Sequence, residues 1–350
     1  MKDAFIKLHI SIILAGATGI FGKLISLNEA LLVWYRMMLA SLLFLLVLSV
    51  GKRLNRISFG DALRIGGVGL LLGLHWVFFY GSIKASNVSI GVVCFSLVGF
   101  FTAFLEPLIN CHRVSFKEVV FSLLTLFGVV LIFHFDTRYR LGIGLGIISS
   151  ALAALFTITN KKIGNNYSTS TMLMYEMVGG FIGLSCILPF YLRYFPVSTI
   201  VPGLLDFTYL LLLASVCTIG LYLLQIQVLK KISAFTVNLS YNLEPIYSII
   251  LAMLLFSEAK ELNAAFYIGL GVIILSVILQ TLSVIRSNTM LYVAKLHAYA
   301  VLHVCECKDK ARQSKNKRFQ FLWQYVAGVC RLQRQKQQEK LARLQRIHEQ

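Results

Sequence analysis

The stretch AFTVNLSYNLEPIYSIILAMLLF, residues 234–256, contains a single charged residue, Glu244, directly followed by Pro245. A helix that crosses the hydrocarbon core of a bilayer, about 30 Å thick, needs about 20 mainly apolar residues. This stretch meets that requirement and carries a carboxyl group well inside the span. A carboxylate at such a depth is costly, so it indicates a functional site unless it is protonated and hydrogen-bonded to a neighbouring helix.

Nine further stretches have the same apolar character, and short charged or turn-rich segments separate them. Of 350 residues, 57% are hydrophobic and 14% are charged, whereas an ordinary soluble domain is about one-quarter charged. The mean hydropathy is +0.76. The sequence therefore predicts an all-α polytopic membrane protein with ten transmembrane helices, near residues 5–22, 30–50, 63–80, 88–109, 119–134, 141–159, 171–192, 204–229, 234–256 and 264–282.

The basic residues of the chain indicate its orientation. With the N-terminus in the cytoplasm, 12 Lys and Arg fall on the inner side of the spans and six on the outer side, so the positive-inside rule predicts two cytoplasmic termini. Residues 290–350 hold 13 Lys and Arg against four Asp and Glu. This predicts a separate basic cytoplasmic tail, which either binds an anionic membrane surface as an amphipathic helix or is disordered.

The two halves of the ten-span region repeat one another. Two sets of residues recur, at constant offsets of 147 and 140 positions. Because each half has an odd number of helices, the second half would enter the membrane in the opposite orientation. Residues 1–140 and 141–289 are therefore predicted to be inverted five-helix repeats, with a substrate path between them near the bilayer midplane. The matches are Gly73, His75, Lys84 and Ser86 with Gly220, Tyr222, Lys231 and Ser233, and Tyr35 and Arg36 with Tyr175 and Glu176.

Residues 73–109 and 230–275 carry a resemblance to a known family. A hairpin of small residues follows spans three and eight, Arg36 stands in a WYR context, and NLEP precedes LLFSE in span nine. The sequence resembles EamA-type members of the drug/metabolite transporter superfamily over residues 1 to about 285. The resemblance implies a ten-helix exporter of amino acids or other metabolites, in a bacterial inner membrane. The first half departs from the second, because Leu97 and Val98 stand where Glu244 and Pro245 would match.

Nine residues within the spans are candidates for binding substrate or protons, and each has a structural alternative. Glu244 would bind a proton or a substrate amine, and Pro245 would break its helix. Arg36 would bind a substrate carboxylate or anchor its helix at the membrane surface. His75 would titrate or simply be hydrogen-bonded. Trp76 would line a cavity by aromatic stacking or simply pack in the bundle. The remaining five would line a cavity or join neighbouring helices by hydrogen bonds: Tyr222, Gln225, Asn238, Tyr241 and Asn242.

Other features of the sequence narrow the function further. The aromatic run FFY at residues 78–80 is typical of an interfacial belt at a span end. No motif of a metalloprotease, a nucleophile elbow or a phosphate-binding loop is present, so neither an enzyme nor a metal or cofactor is predicted. The expected partners are a small-molecule substrate and the lipid bilayer, with protons as a coupling ion and without nucleic acid. A receptor or scaffold that recruits a partner through its basic tail is the alternative to a transporter.

Overall fold

The computed structural model describes residues 2–51, 55–111, 114–134, 139–256, 264–276, 278, 279 and 282. These residues form helices and no strand, as the composition predicts. The predicted basic tail, residues 290–350, lies outside the described residues. The long helices are α1 (Lys2–Leu24), α2 (Glu29–Val50), α3 (Phe59–Ala85), α6 (Phe116–His134), α7 (Arg140–Gly164) and α8 (Thr169–Tyr194), and shorter ones are α4 (Val88–Phe95), α5 (Val98–Asn110), α9 (Leu204–Ala214), α10 (Leu221–Leu229), α11 (Ala234–Ser240), α12 (Glu244–Phe256) and α13 (Ala264–Ser276).

Short polar residues begin several of these helices. A helix leaves its first backbone N–H groups without partners, and a serine or asparagine directly before it can accept their hydrogen bonds. The side chain of Asn28 accepts from the N–H groups of Ala30 and Leu31 at the start of α2. The side chains of Ser58, Asn87 and Ser168 do the same for α3, α4 and α8.

Seven stretches of the described chain are long and apolar enough to cross a bilayer: 3–24, 29–50, 59–85, 88–110, 140–164, 169–194 and 204–229. They coincide with seven of the ten predicted spans. Helix α6 coincides with the fifth predicted span, and α12 and α13 are shorter apolar helices. The count of ten transmembrane helices stays a prediction.

Three predicted spans are interrupted rather than continuous. The fourth bends at residues 96–97, between α4 and α5. The eighth contains a π-helical segment, Ser215–Gly220, between α9 and α10. The ninth consists of α11, a 3-10 turn at Tyr241–Leu243 and α12. Interrupted helices leave backbone groups that can bind side chains or ligands, so these breaks direct attention to the residues around them.

The break in the ninth span lies one turn before Pro245. Proline has no N–H, and its ring clashes with the carbonyl group four residues earlier, here that of Tyr241. In the structure the N–H of Glu244 donates to the Tyr241 carbonyl instead, which closes the 3-10 turn. Pro245 itself is the second residue of α12, where a missing N–H costs little. The predicted break is therefore present, but it precedes Glu244 rather than follows it.

The helices pack so that elements of the first half contact elements of the second. α3 lies against α7 and α8, α12 packs against α4, and α11 packs against α5. Glycines allow the closest approach: Gly66 meets Gly179, and a Cβ atom at Gly69 would lie 1.9 Å from the backbone oxygen of Glu176. The small residues of span three thus permit close helix contact.

The outer surface of this helical assembly is apolar. Side chains such as Leu204, Leu254 and Phe116 are more than three-quarters exposed. A soluble protein rarely presents so much contiguous apolar surface, whereas hydrocarbon chains solvate it at no cost. The polar side chains of the spans are instead gathered inside.

Candidate functional site

A small cavity lies among α1, α2, α3, α4, α7, α10, α11 and α12. Its volume is about 40 Å³, which holds a few water molecules at about 10–15 Å³ each and no metabolite. Eight of the nine candidates predicted from the sequence line it; the side chain of Asn242 lies outside the described part of the structure. The lining residues are Ala15, Thr18, Arg36, His75, Trp76, Phe79, Phe95, Ala153, Phe156, Thr157, Leu221, Tyr222, Gln225, Asn238, Tyr241 and Glu244.

Arg36 is the most constrained of these residues. It is 1% exposed, and its guanidinium group donates three hydrogen bonds, one from each nitrogen. Nε donates to Oγ1 of Thr218 at 2.7 Å, Nη1 to the hydroxyl of Tyr80 at 2.8 Å, and Nη2 to the backbone oxygen of Cys217 at 3.1 Å. The guanidinium carbon lies 3.5 Å from the centre of the Trp76 ring. Arg36 therefore does not extend to the membrane surface, which was one of its two predicted roles.

The π-helical segment supplies two of the three acceptors for Arg36. A π turn pairs residues five apart and so changes which carbonyl groups are bonded within the helix. Here Oγ1 of Thr218 donates to the carbonyl of Leu213, five residues earlier, at 2.7 Å. The same oxygen accepts the hydrogen bond from Nε of Arg36. The interruption of the eighth span and the buried cation of the second span thus form one structural unit.

Aromatic side chains close the cavity around Arg36. Nε1 of Trp76 donates to the hydroxyl of Tyr222 at 3.2 Å, and the two rings meet edge to face with centres 5.4 Å apart. Phe156 packs against Tyr222 on the other side. The guanidinium group of Arg36 lies over the rings of Trp76 and Tyr80. Attraction to aromatic π faces stabilises a charge that is far from bulk water.

Glu244 lies on the opposite wall as the first residue of α12. Its side chain is 3% exposed, and no hydrogen bond joins it to another residue of the described chain. The N-terminus of a helix carries a partial positive charge, so this position suits a carboxylate. The cavity therefore contains a cation and a carboxyl group that are not joined as an ion pair.

Gln225 adds an unsatisfied acceptor to the cavity. Its side chain is 6% exposed, and its Oε1 atom has no hydrogen-bond partner among the described residues. A buried amide oxygen without a partner costs about 1–3 kcal/mol. A donor group on a bound ligand would remove that cost, so the oxygen is suited to recognition.

Three other candidates both line the cavity and join helices. Asn238 donates to Thr102 at 2.8 Å and thereby ties α11 to α5. Tyr241 donates to Oγ of Ser11 at 3.1 Å. His75 contacts Ser149 of α7, with Nδ1 2.8 Å from the Ser149 hydroxyl oxygen. Asn238 and Tyr241 thus both line the cavity and join helices, and His75 is hydrogen-bonded.

Sequence reasoning missed Tyr80 and Thr218. Tyr80 is fully buried beneath Arg36, so its assignment to an interfacial belt is wrong. Helix α3 runs five residues beyond the predicted end of the third span, which places Tyr80 inside the bundle. The available signal was its spacing of four residues from Trp76, which puts both side chains on one helix face. Nothing in the sequence identified Thr218, because its role depends on the π turn.

Two other glutamates of the spans lie away from the central cavity. Glu106 accepts a hydrogen bond from the backbone N–H of Phe235 at 3.0 Å, so it joins α5 to the start of α11. Glu176 is fully buried on α8 and accepts from Nδ2 of Asn160 at 2.5 Å. Its Oε2 atom and Oδ1 of Asn160 have no hydrogen-bond partner in the part of the chain that the structure describes. Neither glutamate lines the cavity.

The sequence profile of the EamA-like transporter family matches residues 4–134 and 140–282. The chain belongs to the EamA-like transporter family. The family, part of the drug/metabolite transporter superfamily, confirms the resemblance found in the sequence and makes this chain an integral membrane protein of a transporter family.

Two curated relatives and one solved structure accompany the family match. An uncharacterized transporter of Archaeoglobus fulgidus is 28% identical over 156 residues, covering 44% of this chain and 55% of the relative. The uncharacterized transporter YxxF of Bacillus subtilis is 26% identical over 186 residues, covering 51% and 60%. The matched part of this EamA-like chain thus spans little more than half the length of these relatives. A crystal structure of a protein with 16% identity has a TM-score of 0.60 and covers 80% of this chain and 98% of that protein, which supports the fold alone.

Proposed function

We propose that the protein is a secondary transporter that exports a small metabolite, such as an amino acid or a related amphipathic compound, by alternating access. The observation that carries this proposal is the central cavity. It places a buried guanidinium group, a carboxyl group without a hydrogen bond and an unpartnered amide oxygen around one space. Its walls come from both segments that match the family.

The charges of the cavity suit a zwitterion. Arg36 has five N–H groups and uses three, so two remain for a substrate carboxylate. Glu244 would bind the substrate amine, or would carry the coupling proton in its place. Trp76, Tyr222, Gln225, Asn238 and Tyr241 line the rest of the cavity, with His75 beside Trp76. Asn242 stays a proposed member of this wall.

The volume of the cavity requires a conformational change. At about 40 Å³ it is closed around water-sized species, so the two halves must separate on one side to admit a metabolite. The interrupted spans four and nine support this step. The breaks lie at residues 96–97 and 241–243, and their separation along the sequence is close to the repeat offset of 147. The two spans also pack against each other. Rocking of two inverted repeats around these breaks would expose the site alternately.

The remaining parts of the proposal rest on the distribution of basic residues and on the family resemblance. A substrate or ion gradient would drive transport. Both termini would lie in the cytoplasm, and the inner membrane of a bacterium would be the location. A non-transporting receptor or scaffold is the competing function, and it predicts that no compound crosses the membrane.

Transport is tested with purified protein reconstituted in liposomes that contain a mixed pool of amino acids and other metabolites. We expect wild-type protein to release selected compounds, and a pH gradient to accelerate the release. Glu244→Gln keeps the shape of the side chain and removes its charge, so we expect it to abolish either the release of amines or the effect of the gradient. Mass spectrometry of the external solution identifies what is released.

Glu118→Gln is the matched control, because Glu118 lies on α6 and does not line the cavity. It should release the same compounds at the wild-type rate. If folded wild-type protein releases nothing, the receptor or scaffold function replaces the proposal. Release by Glu244→Gln that equals wild type with and without the gradient would remove Glu244 from the mechanism.

A further inference from the structure

A second and much larger cavity lies behind α3, on the face away from the central site. Its volume is about 630 Å³, and it is bounded by α3, α7, α8 and the start of α2. His75, Trp76 and Phe79 face the central cavity, whereas Leu74, Val77 and Phe78 face this apolar crevice. Its other residues are Glu29, Ala30, Gly81, Lys84, Ala85, Leu141, Leu145, Leu184, Ile187, Leu188, Tyr191 and Phe195.

The crevice has the depth of one leaflet of a bilayer. From Lys84, near the end of α3, to Leu74 there are ten residues, which at 1.5 Å per residue span about 15 Å. The hydrocarbon core is about 30 Å thick, so this distance reaches its midplane. The wall on α8, from Leu184 to Phe195, has a similar length. An acyl chain of one leaflet therefore matches the crevice in length and in polarity.

The polar groups of the crevice are gathered at its mouth. Nζ of Lys84 donates to the carbonyls of Ile25 at 3.1 Å and Leu27 at 2.5 Å, so one of its three N–H groups remains. Oε1 of Glu29 accepts from the hydroxyl of Tyr191. The second carboxylate oxygen of Glu29 makes no hydrogen bond to the described residues. The mouth thus offers one donor and one anionic acceptor.

We propose that the crevice binds a phospholipid with a primary amine headgroup, such as phosphatidylethanolamine. One acyl chain would fill the apolar wall, the phosphate would bind Lys84, and the ammonium group would bind Glu29. An anionic lipid without an amine would meet the carboxylate of Glu29 unfavourably, and a quaternary amine has no N–H to donate. Because the lipid lies against the back of α3, it supports the helix that carries His75 and Trp76.

The proposal is tested on the full-length purified protein, without a transport substrate. Native mass spectrometry counts bound lipid, and thermal unfolding is followed with added phosphatidylethanolamine, phosphatidylcholine or phosphatidylglycerol. We expect one phosphatidylethanolamine molecule per chain and a rise in unfolding temperature that the other two lipids do not match. Glu29→Gln can still accept from Tyr191 but lacks the charge, so we expect affinity for phosphatidylethanolamine to fall about tenfold.

Two variants fill the crevice, so lipid binding can still be tested if one of them does not fold. Val77→Trp occupies its centre. Gly81→Val narrows its mouth, and a Cβ atom at Gly81 makes only ordinary contacts with Leu145 and Glu29 at 3.4 and 3.6 Å. Both should abolish lipid binding, whereas Leu63→Trp, at an exposed position on the same helix, should not. Equal effects of all three lipids would overturn the headgroup assignment. Binding that survives both filling variants would overturn the site.

Discussion

At the scale of single residues, hydrogen-bond accounting distinguishes the buried carboxyl groups. Glu176 and Asn160 share one hydrogen bond, and each keeps one oxygen without a partner. A single additional hydrogen between those two oxygens would satisfy both. No charged or ionisable residue on the neighbouring helices donates this hydrogen. In the described chain, none of them forms an ion pair or a hydrogen bond with Glu176. These residues are Glu29, Tyr35 and Arg36 on α2, Asp61, Arg64, His75, Tyr80 and Lys84 on α3, Arg140, Lys161 and Lys162 on α7, and Tyr222 on α10.

Glu176→Gln is therefore expected to retain the thermal stability of the wild type. The glutamine amide offers a carbonyl to Nδ2 of Asn160 and an N–H to its Oδ1. Glu176→Ala instead leaves Asn160 unpaired beside a cavity, which should lower the free energy of unfolding by about 2 to 4 kcal/mol. Thermal unfolding in detergent, followed by tryptophan fluorescence, separates the two variants. An equal loss of stability in both would contradict this account of the pair.

The residue scale also shows what a sequence can reveal about a buried site. Glu244 and Arg36 could be identified because a charge inside an apolar span is costly and has few explanations. Tyr80 could not, since an aromatic residue near a span end fits either an interfacial belt or a cavity. Tyr80 contacts Arg36 because α3 continues beyond its apolar run, which keeps Tyr80 inside the bundle.

At the scale of helices, apolar length predicted where the chain forms helices but not where they break. The π turn at Ser215–Gly220 contains no proline. Its shape is coupled to the side chain of Arg36 on another helix, more than 180 residues away in sequence. The break before Glu244 does have a local cause, which is Pro245. The proline disrupts the helix at the carbonyl of Tyr241, four residues earlier.

Pro245→Ala tests whether this break positions the cavity. Alanine restores an N–H that can bond to the Tyr241 carbonyl, so the 3-10 turn at Tyr241–Leu243 should become α-helical. The turn angle per residue then changes from about 120° to about 100°, which rotates Tyr241 relative to Glu244. Transport in the liposome assay should fall by about tenfold or more, because small displacements of binding groups are costly, while thermal stability is maintained.

Pro189→Ala provides the control for that change. Pro189 also lies inside a helix, α8, but it does not line the central cavity. The control should transport at the wild-type rate. Wild-type transport by Pro245→Ala would show that the break has no part in the function.

At the scale of the whole molecule, the contacts between the two halves differ in tightness. Helices α6 and α13 meet through glycines, and a Cβ atom at Gly128 would lie 2.9 Å from the backbone oxygen of Gly269. Thr125 and Ser276 are hydrogen-bonded between the same helices at 3.0 Å. Close backbone contact of this kind resists sliding. The contact between α5 and α11 is instead made by longer side chains, Thr102 and Asn238, beside the cavity.

If the halves rock to open the cavity, the α6–α13 contact should act as a fixed axis and the α5–α11 contact should move. A disulfide between Thr125→Cys and Ser276→Cys, in a chain whose native cysteines are replaced, should therefore leave transport within about twofold of the reduced form, because the bond spans helices that stay together. A disulfide between Thr102→Cys and Asn238→Cys should stop transport. Reduction of the disulfide should restore transport to the rate of the same double variant before oxidation. Both pairs are measured in the liposome assay before and after reduction. Loss of transport in the first oxidised pair, or wild-type transport in the second, would show that the halves do not move in this way.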